Sequence, residues 1–122
     1  FQAYTNTYAP TGRLKEIYET ALQFPEVVGI SIGTRPDCLS DSTIDLLSTL
    51  GEQVAVWLEI GLESSHDRTL HWLNRAHSYA EFEDAARRTA SNGASKANPP
   101  KGSIPRVGAR PTASNGKSKA KI

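Results

Sequence analysis

The spacing of apolar residues changes several times along the first three quarters of the chain, and each change predicts an element. Phe1 to Thr5 reads as the end of a strand, with Asn6 to Pro10 as its exit loop. Leu14, Ile17, Tyr18, Ala21 and Leu22 then recur three and four apart, the stripe of an amphipathic helix, with Thr11 as its expected cap and Pro25 as its stop. The run Val27-Val28-Gly29-Ile30-Ser31-Ile32-Gly33 is short, apolar and rich in β-branched residues, which predicts a buried strand. Pro36 breaks it. Ser40 can cap a second helix carrying Ile44, Leu47 and Leu50, which Gly51 would end. A further strand is predicted from Val54 to Ile60, and a third helix from about Ser65 to Arg75. Ser78 and Glu81 form a capping box for a fourth, with Phe82, Ala85 and Ala86 as its apolar stripe.

Strand and helix in alternation give an α/β class with a parallel sheet of about three strands joined by crossovers. Three strands are too few to close a barrel, and neither outer edge has an evident partner, so exposed apolar surface is expected. After Arg88 the pattern stops. Ile104, Val107 and Ile122 are the only large apolar residues there, and Thr89-Ala-Ser-Asn-Gly-Ala-Ser-Lys-Ala97 nearly repeats as Thr112-Ala-Ser-Asn-Gly-Lys-Ser-Lys-Ala120. Such a segment buries too little to offset chain entropy, so residues 1–88 are expected as the folded unit and residues 89–122 as a disordered basic tail.

Charge sharpens this division. Residues 1–88 hold seven basic and thirteen acidic side chains, a net of −6, whereas residues 89–122 hold seven basic and no acidic ones, a net of +7. The overall charge of +1 hides the contrast. A basic tail could touch nucleic acid or an acidic partner, although a solvated tail is the plainer reading. Cys38 is the one cysteine, which excludes an intrachain disulfide framework and an all-cysteine metal site and suits a cytoplasmic setting. No stretch approaches the roughly 18 apolar residues of a membrane span. The opening Phe1-Gln2-Ala3-Tyr4 lacks an initiator Met and starts mid-pattern, so an internal fragment of a longer protein is expected.

In parallel α/β folds ligands bind at the carboxyl ends of the strands. Three stretches would lie there: Tyr4 to Tyr8, Gly33 to Cys38 and Glu59 to Asp67, all dense in polar side chains. Several bland readings compete. Arg35 and Asp37 can simply pair with each other. His66 and His71 have the wrong spacing to share a metal on a helix. Trp57 and Trp72 read as packing residues. Gly29, Gly33 and Gly61 do not make a nucleotide-binding loop.

The strand end Gly33-Thr34-Arg35-Pro36-Asp37, followed about 22 residues later by Leu58-Glu59-Ile60-Gly61-Leu62-Glu63-Ser64 and then Leu73-Asn74-Arg75-Ala76-His77, resembles radical-SAM proteins. With Phe1-Gln2-Ala3-Tyr4-Thr5-Asn6-Thr7-Tyr8, it is most similar to an uncharacterised bacterial group related to the Elongator catalytic subunit. The resemblance covers residues 1–88. It implies part of a (β/α)6 TIM-like barrel, third to fifth strand–helix units, from an enzyme that holds a [4Fe-4S] cluster through CxxxCxxC. Such an enzyme splits S-adenosylmethionine to a 5′-deoxyadenosyl radical. By position, Asn6 and Thr7, then Thr34, Arg35 and Asp37, then Glu63 and Arg75 would contact the cofactor, Arg75 at the methionyl carboxylate.

This sequence departs from that pattern in three ways. Glu63 stands where the family commonly has Gln, which puts an anion near a carboxylate-bearing ligand. Ala76 replaces a usual Gly at a position that could need positive φ. The cysteine triad is absent, so the chain alone is expected to be inactive. Its relatives' chemistry raises RNA as a substrate by analogy only. The alternative is a non-catalytic remnant whose basic tail binds nucleic acid or a protein.

Overall fold

The computed structural model describes residues 1–96 and 118–121. Its centre is a parallel pair of strands, β1 (Gly29–Thr34) and β2 (Ala55–Ile60), in register from Gly29 opposite Ala55 to Thr34 opposite Ile60. Parallel strands cannot be joined by a tight turn, and the connection is a full crossover through α2 (Asp41–Leu50). Burial alternates along both strands. Ile30, Ile32, Val56, Leu58 and Ile60 point into one core, while Gly29, Ser31, Gly33, Ala55, Trp57 and Glu59 lie on a half-buried face. The expectation of a continuously buried strand is therefore corrected: β1 alternates, and Val28, placed in it from sequence, precedes it at 83% exposure.

Helices cover the buried face. α1 (Thr11–Leu22) contributes Leu14 and Tyr18, and α2 contributes Ile44, Leu47 and Leu50. After the short α3 (Asp67–Trp72), α4 (Tyr79–Lys96) adds Ala85 to the same core. The caps differ in how far sequence foretold them. Ser40 Oγ accepts from the amide of Thr43 at 3.2 Å, and the Ser78–Glu81 box forms, with Ser78 N donating to Glu81 Oε2 at 2.7 Å and Glu81 N to Ser78 Oγ at 3.2 Å. Thr11 is instead the first helical residue, since Pro10 occupies the cap position and accepts through its carbonyl. Gly51 ends α2 with φ −63°, an ordinary right-handed conformation that any residue could adopt.

No barrel forms among the described residues, which corrects the TIM-like expectation. The sheet order is β1-β2-β3, with β3 (Ser118–Lys121) antiparallel to β2. The other edge of β1 carries the chain start without a regular strand. The terminal amine donates to Ser31 O at 2.9 Å, Gly33 N donates to Phe1 O at 2.9 Å, and Asn6 N donates to Gly33 O at 3.0 Å. Both edges thus have partners, contrary to the sequence reading. The domain boundary expected at residue 88 falls inside α4, where Thr89 is buried and bonds back to Ala85 O at 2.7 Å. Arg88 ties this helix to α2 and the preceding turn, reaching Asp84 at 2.7 Å, Asp41 at 2.8 Å and Leu39 O at 3.0 Å. Of the expected tail, residues 97–117 and Ile122 lie outside the described residues.

One glycine is required by close approach. A Cβ on Gly29 would sit 2.6 Å from Ala55 O and 2.6 Å from Trp57 Cζ3, and the first of these is backbone of the neighbouring strand. Gly29→Ala should therefore cost about 1–3 kcal/mol in urea unfolding, and Leu58→Ala, which empties the centre of the core, about 2–5 kcal/mol. A Gly29→Ala variant as stable as the parent chain would show that the two strands do not pair this closely.

Candidate functional site

The carboxyl ends of β1 and β2 lie side by side, so the segments leaving them share one rim: Arg35 to Cys38 after β1, and Gly61 to Ser64 after β2. Phe1 to Thr7 arrives at the same edge, because Asn6 bonds to Gly33 near the end of β1. The seven residues expected to contact a ligand sort into three groups by what each already holds.

Asn6, Thr7 and Thr34 are committed to the fold. Asn6 Nδ2 donates to Gly33 O at 3.1 Å, and Asn6 O accepts from the Tyr18 hydroxyl at 2.6 Å. The hydroxyls of Thr5 and Thr7 both bond Thr34 Oγ1, at 2.9 and 2.5 Å, and Thr7 Oγ1 also donates to Cys38 O at 2.7 Å. Thr7 and Thr34 are buried, so this cluster fastens the opening segment to the tip of β1. Burial pushes the Tyr18 phenol up to about 12.

Arg35 and Asp37 hold each other across the 3₁₀ turn Pro36–Cys38. The guanidinium is bidentate, Nε to Oδ1 at 3.0 Å and Nη2 to Oδ2 at 2.6 Å, the fork-to-carboxylate geometry that gives strong charge-assisted bonds. Partial burial by itself would raise the Asp37 carboxyl, but the hydrogen bonds and charge of Arg35 outweigh it and hold the group below its ordinary range. The same hydrogen bonding raises Arg35. Cys38 is buried beside them, with Sγ 3.7 Å from Arg35 Nη2.

Glu63 and Arg75 are brought together with spare capacity. Arg75 Nη2 reaches Gly61 O at 3.4 Å and lies 4.0 Å from Glu63 Oε1, long contacts for a side chain only 23% exposed. Its Nε is buried with no hydrogen-bond partner. Glu63 is held at φ 65°, in the left-handed region that costs a non-glycine residue roughly 1–2 kcal/mol. The left-handed residue of the following turn is Asn74, at φ 54°, rather than Ala76, so the expected demand on Ala76 is corrected.

A residue that sequence reasoning passed over stands next to this pair. His77 is 5% exposed, its Nε2 is 3.4 Å from Leu62 O, and its Nδ1 is buried without a partner. A lone His after a turn gives no pattern to find it by. His66 and His71 are exposed, and Trp72, expected to pack, is 80% exposed. No group of three or more His, Cys, Asp or Glu side chains among the described residues could hold a metal ion. With one buried cysteine, the residues present do not fit an iron–sulfur cluster. No helix among the described residues is long and apolar enough to cross a membrane.

Comparison with known proteins gives relatives whose names state no activity. The chain is 44% identical to the uncharacterised protein YtqA of Bacillus subtilis over 93 residues, 76% of this chain and 29% of that protein. It is 45% identical to protein YhcC of Escherichia coli over 84 residues, 68% of this chain and 27% of the relative. It is 46% identical to the uncharacterised protein MJ0486 of Methanocaldococcus jannaschii over 79 residues, 64% and 24% of the two chains. The chain thus spans less than a third of the length of these relatives. No family model and no solved structure matches it. The expected membership of the radical-SAM superfamily, with its Elongator kinship and its iron–sulfur cluster, is corrected on these findings. No family model carries it, the relatives' names carry no such activity, and the donor set for a cluster is absent among the described residues.

The Asp37 carboxyl has a lowered folded-state pKa, so its contribution to stability is complete above the unfolded value, near 3.8, and is lost as pH falls through the folded one. Tyr18 behaves oppositely: its contribution is complete below the unfolded value, near 10, and is lost as pH rises toward about 12. Unfolding followed by urea across pH should show both limbs. Asp37→Asn should flatten the acid limb and leave the alkaline limb in place. An unchanged acid limb would mean that the Arg35 pair adds nothing to stability.

Proposed function

We propose that the rim at the carboxyl ends of β1 and β2 binds a small molecule bearing a carboxylate, with S-adenosylmethionine as the first ligand to test. The observation that carries this reading is the state of Arg75. A guanidinium offers five donors in a fixed fork, and this one is three-quarters buried with only long contacts and one donor nitrogen unpartnered. Buried donors of this kind are normally satisfied, and a carboxylate satisfies two at once in the geometry a guanidinium favours.

Position supports the same reading. Strand tips of parallel sheets are where ligands bind in α/β proteins, because the loops there are free to vary while the strands fix their roots. Strain supports it too, since non-glycine residues held at positive φ gather at ligand sites, and Glu63 is one of them. The other expected contacts play a different part. Asn6, Thr7 and Thr34 build the floor, and Arg35 is already neutralised by Asp37. Arg75 is thus the cation with unused capacity at this rim among the residues first read as contacts. The tail's proposed contact with nucleic acid rests on residues 89–122, most of which lie outside the described residues, and nothing at the rim favours it.

Calorimetric titration of the chain with S-adenosylmethionine tests the reading. Arg75→Ala should weaken binding by about tenfold to a hundredfold, as expected for loss of a charge-assisted, bidentate contact. Arg75→Lys should recover only part of it, because a point charge lacks the fork. No binding by the parent chain, or equal affinity in Arg75→Ala, would overturn the proposal.

A further inference from the structure

The two edges of the sheet are closed by different means. On β1 the opening segment is fixed by backbone bonds and by the threonine seam to Thr34. On β2 the partner is β3, which runs antiparallel with Lys121 opposite Trp57, Ala120 opposite Leu58, Lys119 opposite Glu59 and Ser118 opposite Ile60. This conformation is not the one its composition favours, since Lys and Ala are depleted in strands. The chain itself supplies the comparison. Ser118-Lys119-Ala120 repeats Ser95-Lys96-Ala97, and Ser95 and Lys96 close the helix α4. The same residues end a helix in one copy and form a strand in the other, so the edge of β2 imposes the strand.

A strand edge offers a row of amides and carbonyls that pairs with any extended backbone, and alternate residues then select among candidates. Opposite residues of an antiparallel pair share a face of the sheet. Leu58 and Ile60 are buried in the core, whereas Trp57 and Glu59 are half-buried on the other face. The register therefore puts the small Ser118 and Ala120 at core-face positions, and Lys119 and Lys121 opposite a carboxylate and an indole. A cation is a favourable cross-strand neighbour for both.

We propose that the outer edge of β2, residues 57–60, is a strand-addition site for an extended basic peptide of another protein. The sequence that fits has lysines at alternate positions with small residues between them, and β3 is the occupant that the chain supplies for itself. A tethered strand meets its edge at an effective concentration on the order of millimolar, so β3 acts as a competing plug. The incoming peptide lies antiparallel to β2 and replaces β3 residue for residue. None of this depends on the carboxylate reading of Arg75.

A synthetic peptide of residues 115–122 is the probe, titrated calorimetrically into the parent chain and into a full-length variant carrying Lys119→Pro and Ala120→Pro. Successive amides of a strand point to opposite sides, so two adjacent prolines must remove one that faces β2. The variant should bind the peptide about tenfold more tightly than the parent chain, because the plug is gone. Adding Glu59→Gln to it should weaken binding about 1.5-fold to 5-fold, the weight of one cross-strand charge pair. A peptide with every lysine replaced by glutamate should bind more weakly than the lysine peptide. Should the proline variant fail to fold, the parent chain gives a direct readout. Its ¹⁵N–¹H spectrum at peptide excess should show shifts at the amides of residues 57–60, while those of residues 31–33 at the other edge stay in place. Equal affinity in parent and variant, or unmoved amides at residues 57–60, would overturn the proposal. A dimer of the parent chain that the two prolines abolish would assign the edge to a second copy and overturn it as well.

Discussion

The parallel pairing of β1 with β2 is the constraint from which the other features follow. Two parallel strands need a long connection, and the chain meets that need with α2, whose Ile44, Leu47 and Leu50 cover the inward face of both strands. Once the strands run the same way, their carboxyl tips must lie together, and so must the loops that leave them. The rim is a consequence of topology before any of its side chains is considered. The close approach at Gly29, under Trp57 and the Ala55 carbonyl, is the local condition for this pairing.

Around that pair, polar chemistry divides into groups that are satisfied and groups that are not. The threonine cluster of Thr5, Thr7 and Thr34 is closed: each hydroxyl has a partner, and the result is a rigid seam between the opening segment and β1. The Arg35–Asp37 fork is closed as well. Both sit where a ligand contact was expected and both serve the fold. Arg75 and His77 are the contrast, since each retains a buried nitrogen with nothing to bond. Saturated groups hold a shape, and unsaturated buried ones ask for something to complete them.

Sequence reasoning read the parts of this fold that depend on nearest neighbours. The cap at Ser40, the box of Ser78 with Glu81 and the stripe of α2 are local, and local chemistry is written in consecutive residues. It misread what depends on distant partners. Val28 looked like strand because its composition is strand-like, but the pairing begins at Gly29. The helical course of α4 past Arg88 was hidden by a polar composition, while the anchors that hold it are Arg88 on Leu39 and Asp41 and Thr89 against its own preceding turn. The edge partners of β1 and β2 could not be seen either, because one is an irregular segment and the other comes from the far end of the chain.

The candidate site shows the same division more sharply. Glu63 and Arg75 came into view only by position in the resemblance, and it is the exit of β2 and the short α3 that bring them to one rim. His77 was not legible, since a lone histidine after a turn makes no pattern and its burial is set by a loop fifteen residues earlier in the chain. Its surroundings nonetheless follow from the fold: α3 is short, Asn74 turns the chain through a left-handed conformation, and His77 comes to lie within 3.4 Å of Leu62 O. A fixed strand end, a strained loop and two incompletely bonded side chains that reach that loop's carbonyls meet at the exit of β2. Arg75 and His77 reach adjacent carbonyls of that loop, so the backbone between Gly61 and Ser64 is held from two side chains that each keep one buried nitrogen unbonded.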